Sequence, residues 1–244
     1  PEQVKNVKCI AVDGTTATLS WSDVSDDDIS YFVVECKQSD GVWKSVSRTS
    51  TNLGVNLRGL TPEHDYVYRV IGYDKRSNRG TPSEEITVTT LKDTICPKVT
   101  KITPDPGYFK SEINLRFTAE DDYRVKSIET QTSTDKESWK TVAEIKATGE
   151  SAKCTFDCKL DLKNYEEGSV FVRAKVYDSY GNVTEDKDLT CYEYVVDRTA
   201  PIQPTGVTAS SGETEGGSSF VNISWNAITD DNSFAYYRVY KSNS

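Results

Sequence analysis

Between Leu60 and Gly80 the chain alternates strictly. Tyr66, Tyr68, Val70 and Gly72 fall on one face and Val67, Arg69, Ile71 and Tyr73 on the other. A period of two predicts a half-buried β-strand. Pro62 ahead of it marks a turn, and a Tyr placed just after such a turn can bury its ring while its hydroxyl returns to upstream backbone. That residue is Tyr66. The same period predicts six more strands over residues 1–92: 4–12, 16–21 with Ala17, Leu19 and Trp21 inward, 29–38 with Phe32, Val34 and Cys36 inward, 43–47, the alternation Leu53, Val55, Leu57, and 85–91 with Ile86 and Val88. Asp40-Gly41 supplies a hairpin turn. No stretch of useful length shows a helical period.

The pattern then repeats. Trp139-Lys140-Thr141-Val142 echoes Trp43-Lys44-Ser45-Val46 at an offset of 96, and the segment from Val172 to Asp178 echoes that from Tyr68 to Asp74 at an offset of 104. Ile113, Leu115 and Phe117 alternate as an early strand of this middle segment, and Cys154, Phe156, Cys158 and Leu160 as a later one. A turn at 178–182 precedes a last strand over 189–196. Asp93-Thr-Ile-Cys-Pro97 and Asp197-Arg-Thr-Ala-Pro201 read as short, semi-rigid joints, because Pro fixes φ and removes a ladder donor. Beyond the second joint, the run from Trp225 to Val239 matches that from Trp21 to Val34 with one inserted residue, so residues 202–244 are expected to hold three strands.

Trp21 together with Leu60-x-Pro62-x-x-x-Tyr66 resembles the fibronectin type III module over residues 1–92. Residues 93–199 lack the inward Trp and the corner Tyr. With their Asp-Arg-Thr-Ala-Pro exit they are similar to the immunoglobulin-like repeats strung along large bacterial surface and secreted proteins. Residues 200–244 resemble the first part of a second fibronectin type III module. The resemblance implies an all-β fold, a linear array of tandem immunoglobulin-like and fibronectin type III β-sandwiches, in which repetition at about 100 residues marks a string of modules.

Composition narrows the function. A chain of 244 residues with net charge −9 lacks the clustered Lys and Arg that a nucleic-acid partner requires, and it disfavours anionic membrane surfaces. No apolar run approaches the ~20 residues that span a bilayer, and no signal peptide is seen. With Pro1 first and no Met, the sequence reads as an excised piece of a longer protein. Cys9 and Cys36 fall on inward parities and read more readily as buried free thiols than as a bridge. Cys154 and Cys158, four apart on one strand face, are roughly 13 Å apart and do not bond each other. Each could pair with Cys96 or Cys191, and the connectivity stays open. A zinc site from these four lacks the usual C-x-x-C spacing.

Candidate chemistry is sparse. His64, the single histidine, lies in the turn before the corner strand, and any histidine-based triad would have to use it. No G-x-S-x-G, P-loop or Rossmann fingerprint accompanies it. Asp26-Asp27-Asp28, Asp121-Asp122 and Asp230-Asp231 each precede an apolar residue followed three positions later by another. They occupy one equivalent loop at one end of each sandwich. Such a loop near a domain junction offers carboxylates to Ca²⁺, the one cofactor the sequence raises. The plain reading is a solvated turn whose Asp side chains bond backbone amides. Paired carboxylates also raise glycoside hydrolysis, but no substrate cleft is expected between modules this small. The loop 74–80 reads DKRSNRG and lacks the integrin-binding tripeptide that some animal relatives of the module present there. Asn182-Val-Thr and Asn222-Ile-Ser are glycosylation sequons.

The expectation is a non-catalytic segment of an extracellular, secreted or surface-attached bacterial protein. It would space or present other domains, either in an adhesin or beside a polysaccharide-active enzyme. The alternative is a module that binds a glycan or host protein through its loops or a sheet edge, and an animal receptor ectodomain is a third reading. Expected partners are neighbouring domains of the same parent protein and a glycan or extracellular protein. The segment is expected to be a monomer, without nucleic acid and without membrane insertion. A sugar platform needs exposed rings. The four Trp pair off at repeated scaffold positions, Trp21 with Trp225 and Trp43 with Trp139, leaving Tyr73, Tyr177 and Tyr180 as candidates.

Overall fold

A computed structural model describes residues 1–50, 52–229, 231 and 233–242. The first seven strands are β1 (Lys8–Val12), β2 (Thr16–Ser20), β3 (Ile29–Lys37), β4 (Trp43–Thr49), β5 (Gly54–Arg58), β6 (Asp65–Asp74) and β7 (Ile86–Thr89). They form two antiparallel sheets, ordered β1-β2-β5 and β4-β3-β6-β7. Period-two patterning builds the sandwich: Ala17, Leu19, Phe32, Val34, Tyr68, Val70 and Val88 face one another and are all 3% exposed or less. Trp21 meets Phe32 edge to face at 5.6 Å. The predicted corner is present, with the amide of Thr61 donating to the Tyr66 hydroxyl at 2.8 Å. First-module strand ends differ from the expected ones in both directions, β1 starting at Lys8 rather than at residue 4 and β4 running on to Thr49 rather than ending at residue 47.

The second core gathers residues from Ile102 to Val196. Its strands are β8 (Lys98–Thr103), β9 (Tyr108–Phe109), β10 (Glu112–Ser133), β11 (Lys140–Asp161), β12 (Gly168–Asp178) and β13 (Tyr192–Val196), with a short 3₁₀ turn at Asp186–Asp188. The expected strand over 189–196 begins at Tyr192, where its ladder with β12 ends at Val172, and residues 189–191 connect it to the 3₁₀ turn without strand pairing. β10 and β11 each run for 22 residues and serve both layers. The first half of β10 pairs with β8 and the end of β11, and its second half pairs with the start of β11 and with β12. Between the halves, after Glu120 and before Val125, the register slips. A bulge lets one strand bend from one layer into the next. It places Asp121 and Asp122 at the fold's rim.

The third segment departs from expectation. It holds one hairpin, β14 (Thr208–Glu213) with β15 (Ser219–Ser224), and no third strand among the described residues. Its equivalent in the first module, β3, pairs with β4 and β6, both of which follow it in sequence, and residues 202–244 contain no counterpart of either. Val239 and Tyr240 accordingly stand 58% and 81% exposed, while Trp225 packs on Tyr237 at 5.0 Å.

Candidate functional site at the domain junction

Where the two sandwiches meet, the turns of the first touch the bulge and one turn of the second. Within the first sandwich, Leu91 N–H donates to the Asp13 carbonyl at 3.0 Å and holds the exit of that module against its β1–β2 turn. The Thr15 hydroxyl donates to Asp122 Oδ2 at 2.8 Å. The Tyr123 hydroxyl reaches Thr61 Oγ1 at 3.3 Å, and the Tyr180 hydroxyl donates to the Pro62 carbonyl at 3.2 Å. The two tyrosine rings lie 5.7 Å apart.

Beside the backbone of these two tyrosines three carboxylates converge. Asp93, Asp121 and Asp178 each offer an oxygen within 4.8 Å of the others. They reach this point by three routes. Asp178 ends β12 on the parity of Val170, Val172, Ala174 and Val176, and Asp121 continues the inward row Ile113, Leu115, Phe117, Ala119 of β10. Both are acidic residues at the end of an apolar stripe. Asp93 arrives along the linker and is 1% exposed.

Their hydrogen bonds are uneven. Asp178 Oδ1 accepts the amides of Tyr180 and Asn182, both at 2.8 Å, and its Oδ2 accepts Asn182 Nδ2 at 2.6 Å. Asp93 Oδ1 accepts the Ile95 amide at 2.9 Å, and Asp121 Oδ2 accepts the amides of Tyr123 and Arg124. Asp93 Oδ2 and Asp121 Oδ1 are buried with no partner among the described residues. Burial first, and then the charges of Asp122, Asp93 and Asp178, push Asp121 up to about 6. Burial and then Asp122, Asp178 and Asp13 likewise raise Asp93, against the Ile95 amide.

Of the acidic loops singled out in sequence, only the middle one contributes. Asp26 Oδ2 accepts the amide of Glu2 at 2.6 Å, Asp27 and Asp28 are exposed, and the Asp28 carbonyl accepts Lys75 N–H. These residues line the turn near the N-terminus and do not converge. Asp230 lies outside the described residues. Asp231 Oδ1 caps Ser233 through its amide and hydroxyl. Asp122 faces Thr15 rather than the cluster. Sequence reading therefore missed Asp93 and Asp178, although an Asp on the inward parity of a strand end was a signal that could have found Asp178.

The remaining candidates fall into place. His64 is exposed and makes an edge contact with Tyr66 at 4.8 Å, without a side-chain hydrogen bond among the described residues. All six cysteines are free thiols. Cys36 and Cys158 are buried, and desolvation raises both; Cys9 is half-buried. Tyr73 stacks on Tyr31 at 4.8 Å, Tyr177 donates to Glu129 Oε2 at 2.9 Å, and Tyr180 lies in the junction. None of the three is a free platform. Asn182 Nδ2 also donates to the Asp93 carbonyl at 3.2 Å, so that sequon nitrogen is engaged, whereas Asn222 is exposed on β15. Among the described residues, no helix is long and apolar enough to cross a membrane.

The fold is all-β, built from tandem immunoglobulin-like sandwiches. Residues 2–89 match the family model of the fibronectin type III domain. Among solved structures, the chain is similar to the fibronectin type-III domain of human fibronectin type III domain containing protein 3, at 25% identity over 37% of this chain and 86% of that one, with a TM-score of 0.34. It is also similar to the FN1–FN3 domains of chicken CNTN1, at 17% identity over 95% of this chain and 77% of that one, with a TM-score of 0.41.

Proposed function

We propose that this chain is a non-catalytic spacer within a larger extracellular protein, with modules at 1–92, 93–199 and the start of another at 200–244, and that it holds neighbouring domains at a set distance. Fibronectin type III domains commonly serve as spacer or interaction modules, and the match over residues 2–89 brings that role to this chain. The observation that carries the reading is the junction. Three hydrogen bonds tie turns of the first sandwich to the second across a linker whose Asp93 and Pro97 are buried. Inter-domain contacts of this kind restrict motion that a bare linker would allow. A bacterial surface or secreted parent, an adhesin stalk or the accessory region of a polysaccharide-active enzyme, fits the sequence resemblance of residues 93–199.

Small-angle scattering of the full chain tests this. An elongated particle with one sharply defined maximum dimension is expected, and a broad distribution of sizes would overturn the spacer. A screen against immobilised glycans and matrix proteins in parallel detects the competing role, since saturable binding there would make the segment a recognition module.

A further inference from the structure

We propose that Asp93, Asp121 and Asp178 form a Ca²⁺ site at the junction of the two sandwiches, and that occupancy of this site locks the linker. The inference goes beyond the spacer reading and does not depend on it.

The turn around Asp178 is by itself structural. Asp74 in the first module makes the same bonds, its Oδ1 to the amides of Arg76 and Asn78 and its Oδ2 to Asn78 Nδ2. The second turn differs in the two carboxylates brought against it, from the linker and from the β10 bulge. Each of those keeps one oxygen in the interior with no partner among the described residues, Asp93 Oδ2 and Asp121 Oδ1, and Asp93 is 1% exposed. A buried acceptor without a donor is costly, and here two stand beside a third carboxylate. No basic side chain forms an ion pair with any of the three among the described residues; Arg124, three positions from Asp121, is paired with Glu150 at 2.8 Å, and Lys92, next to Asp93, is exposed.

The donor set selects the ion. It consists of oxygen atoms alone, which suits a hard cation over zinc or copper. Ca²⁺–O distances of about 2.3–2.6 Å put oxygens on opposite sides of the ion roughly 5 Å apart. The oxygens of this cluster all lie within 4.8 Å of one another, inside that reach. Mg²⁺ demands near-ideal octahedral geometry and keeps its own waters, whereas Ca²⁺ tolerates an irregular ligand set, such as one drawn from a linker, a bulge and a turn. A divalent charge would neutralise the mutual repulsion and give both unpartnered oxygens a ligand role. Because one ligand lies on the linker and two on the second sandwich, binding would fasten the linker to that sandwich. Asp122, next to a ligand, already holds Thr15 of the first.

The test uses the full chain, stripped with EDTA and titrated with CaCl₂ by calorimetry, with Tb³⁺ luminescence sensitised by tyrosine as a second readout. One saturable site is expected. Asp93→Asn and Asp121→Asn should each weaken Ca²⁺ at least tenfold, while Asp27→Asn leaves it unchanged. The carboxamides relieve repulsion without changing shape, and near-UV circular dichroism verifies that the variants fold. Tryptic cleavage at Lys92, which is exposed, should slow several-fold with Ca²⁺ in the native chain and not in Asp93→Asn. No saturable binding at millimolar Ca²⁺, equal binding of Mg²⁺, or equal binding by the Asp93→Asn/Asp121→Asn double variant would each overturn the site. None of these results touches the scattering test of the spacer.

Discussion

Asp135 shows how far an exposed residue can be governed by its backbone. In the loop between β10 and β11 its Oδ1 accepts the amides of Ser138 at 2.7 Å and Glu137 at 2.8 Å, and the Ser133 hydroxyl at 2.8 Å. These bonds, the Ser138 amide foremost, favour the charged form and hold its carboxyl at about 2, below the ordinary 3.8. A group depressed in the fold adds stability that is fully present above its ordinary value and is lost as pH falls through the folded one. A carboxyl-carbon NMR titration of the native chain should place Asp135 at about 2, and Asp135→Ala should flatten the acid limb of the denaturation curve between about pH 4 and 2. A midpoint at the ordinary value would show that the turn is not formed. The Tyr66 corner was legible for a related reason: a local motif, Pro62 followed by Tyr66, fixes a contact five residues apart. The meeting of Asp93 with Asp178 was not. Their contact spans 85 positions, and alternation tells which face a side chain takes but not which strand ends meet.

At the scale of elements, the two sandwiches share a ladder of side chains that the sequence showed only in part. Arg69 lies over the Trp43 ring at 4.0 Å and its Nε donates to Glu35 Oε2 at 2.8 Å. Arg173 lies over Trp139 at 4.0 Å and its Nε donates to Gln131 Oε1 at 2.8 Å. The echoes of Trp and Arg were visible as repeats, but they have different offsets, 96 and 104, and only pairing across β4, β3 and β6, and across β11, β10 and β12, aligns them. The turns repeat too: Ser77 takes φ 65 where Gly181 takes φ 92, one left-handed position in each Asp-to-Asn turn. That no third strand forms among the described residues of 202–244 has the opposite cause. Alternation there predicts a strand, yet a strand needs ladder partners as well as a pattern. Arg173→Leu keeps the aliphatic bulk and removes both the cation over Trp139 and the bond to Gln131. A loss of about 1–2 kcal/mol is expected in the second sandwich, read by urea denaturation, with the transition of the first sandwich unmoved. An equal loss in both would mean that the ladders are not local.

For the whole molecule the question is whether two sandwiches unfold as one body or two. Each has its own closed core, so coupling between them must come from the junction, where the contacts are polar and partly solvated. Hydrogen bonds of this type contribute about 0.5–1.5 kcal/mol each. Tyr123→Phe/Tyr180→Phe removes two of them, to Thr61 and to the Pro62 carbonyl, while keeping both rings and both cores. Coupling should therefore fall by roughly 1–2 kcal/mol without a change in the intrinsic stability of either sandwich. Calorimetry should show this as two transitions drawing apart, and scattering as a wider range of maximum dimension. If the double variant instead lowers one transition with the separation otherwise unchanged, the hydroxyls serve the fold of that sandwich alone. The distinction bears on the spacer reading directly, because a stalk holds its length through its joints, and the joint between these two sandwiches consists of a few hydrogen bonds beside a buried acidic cluster.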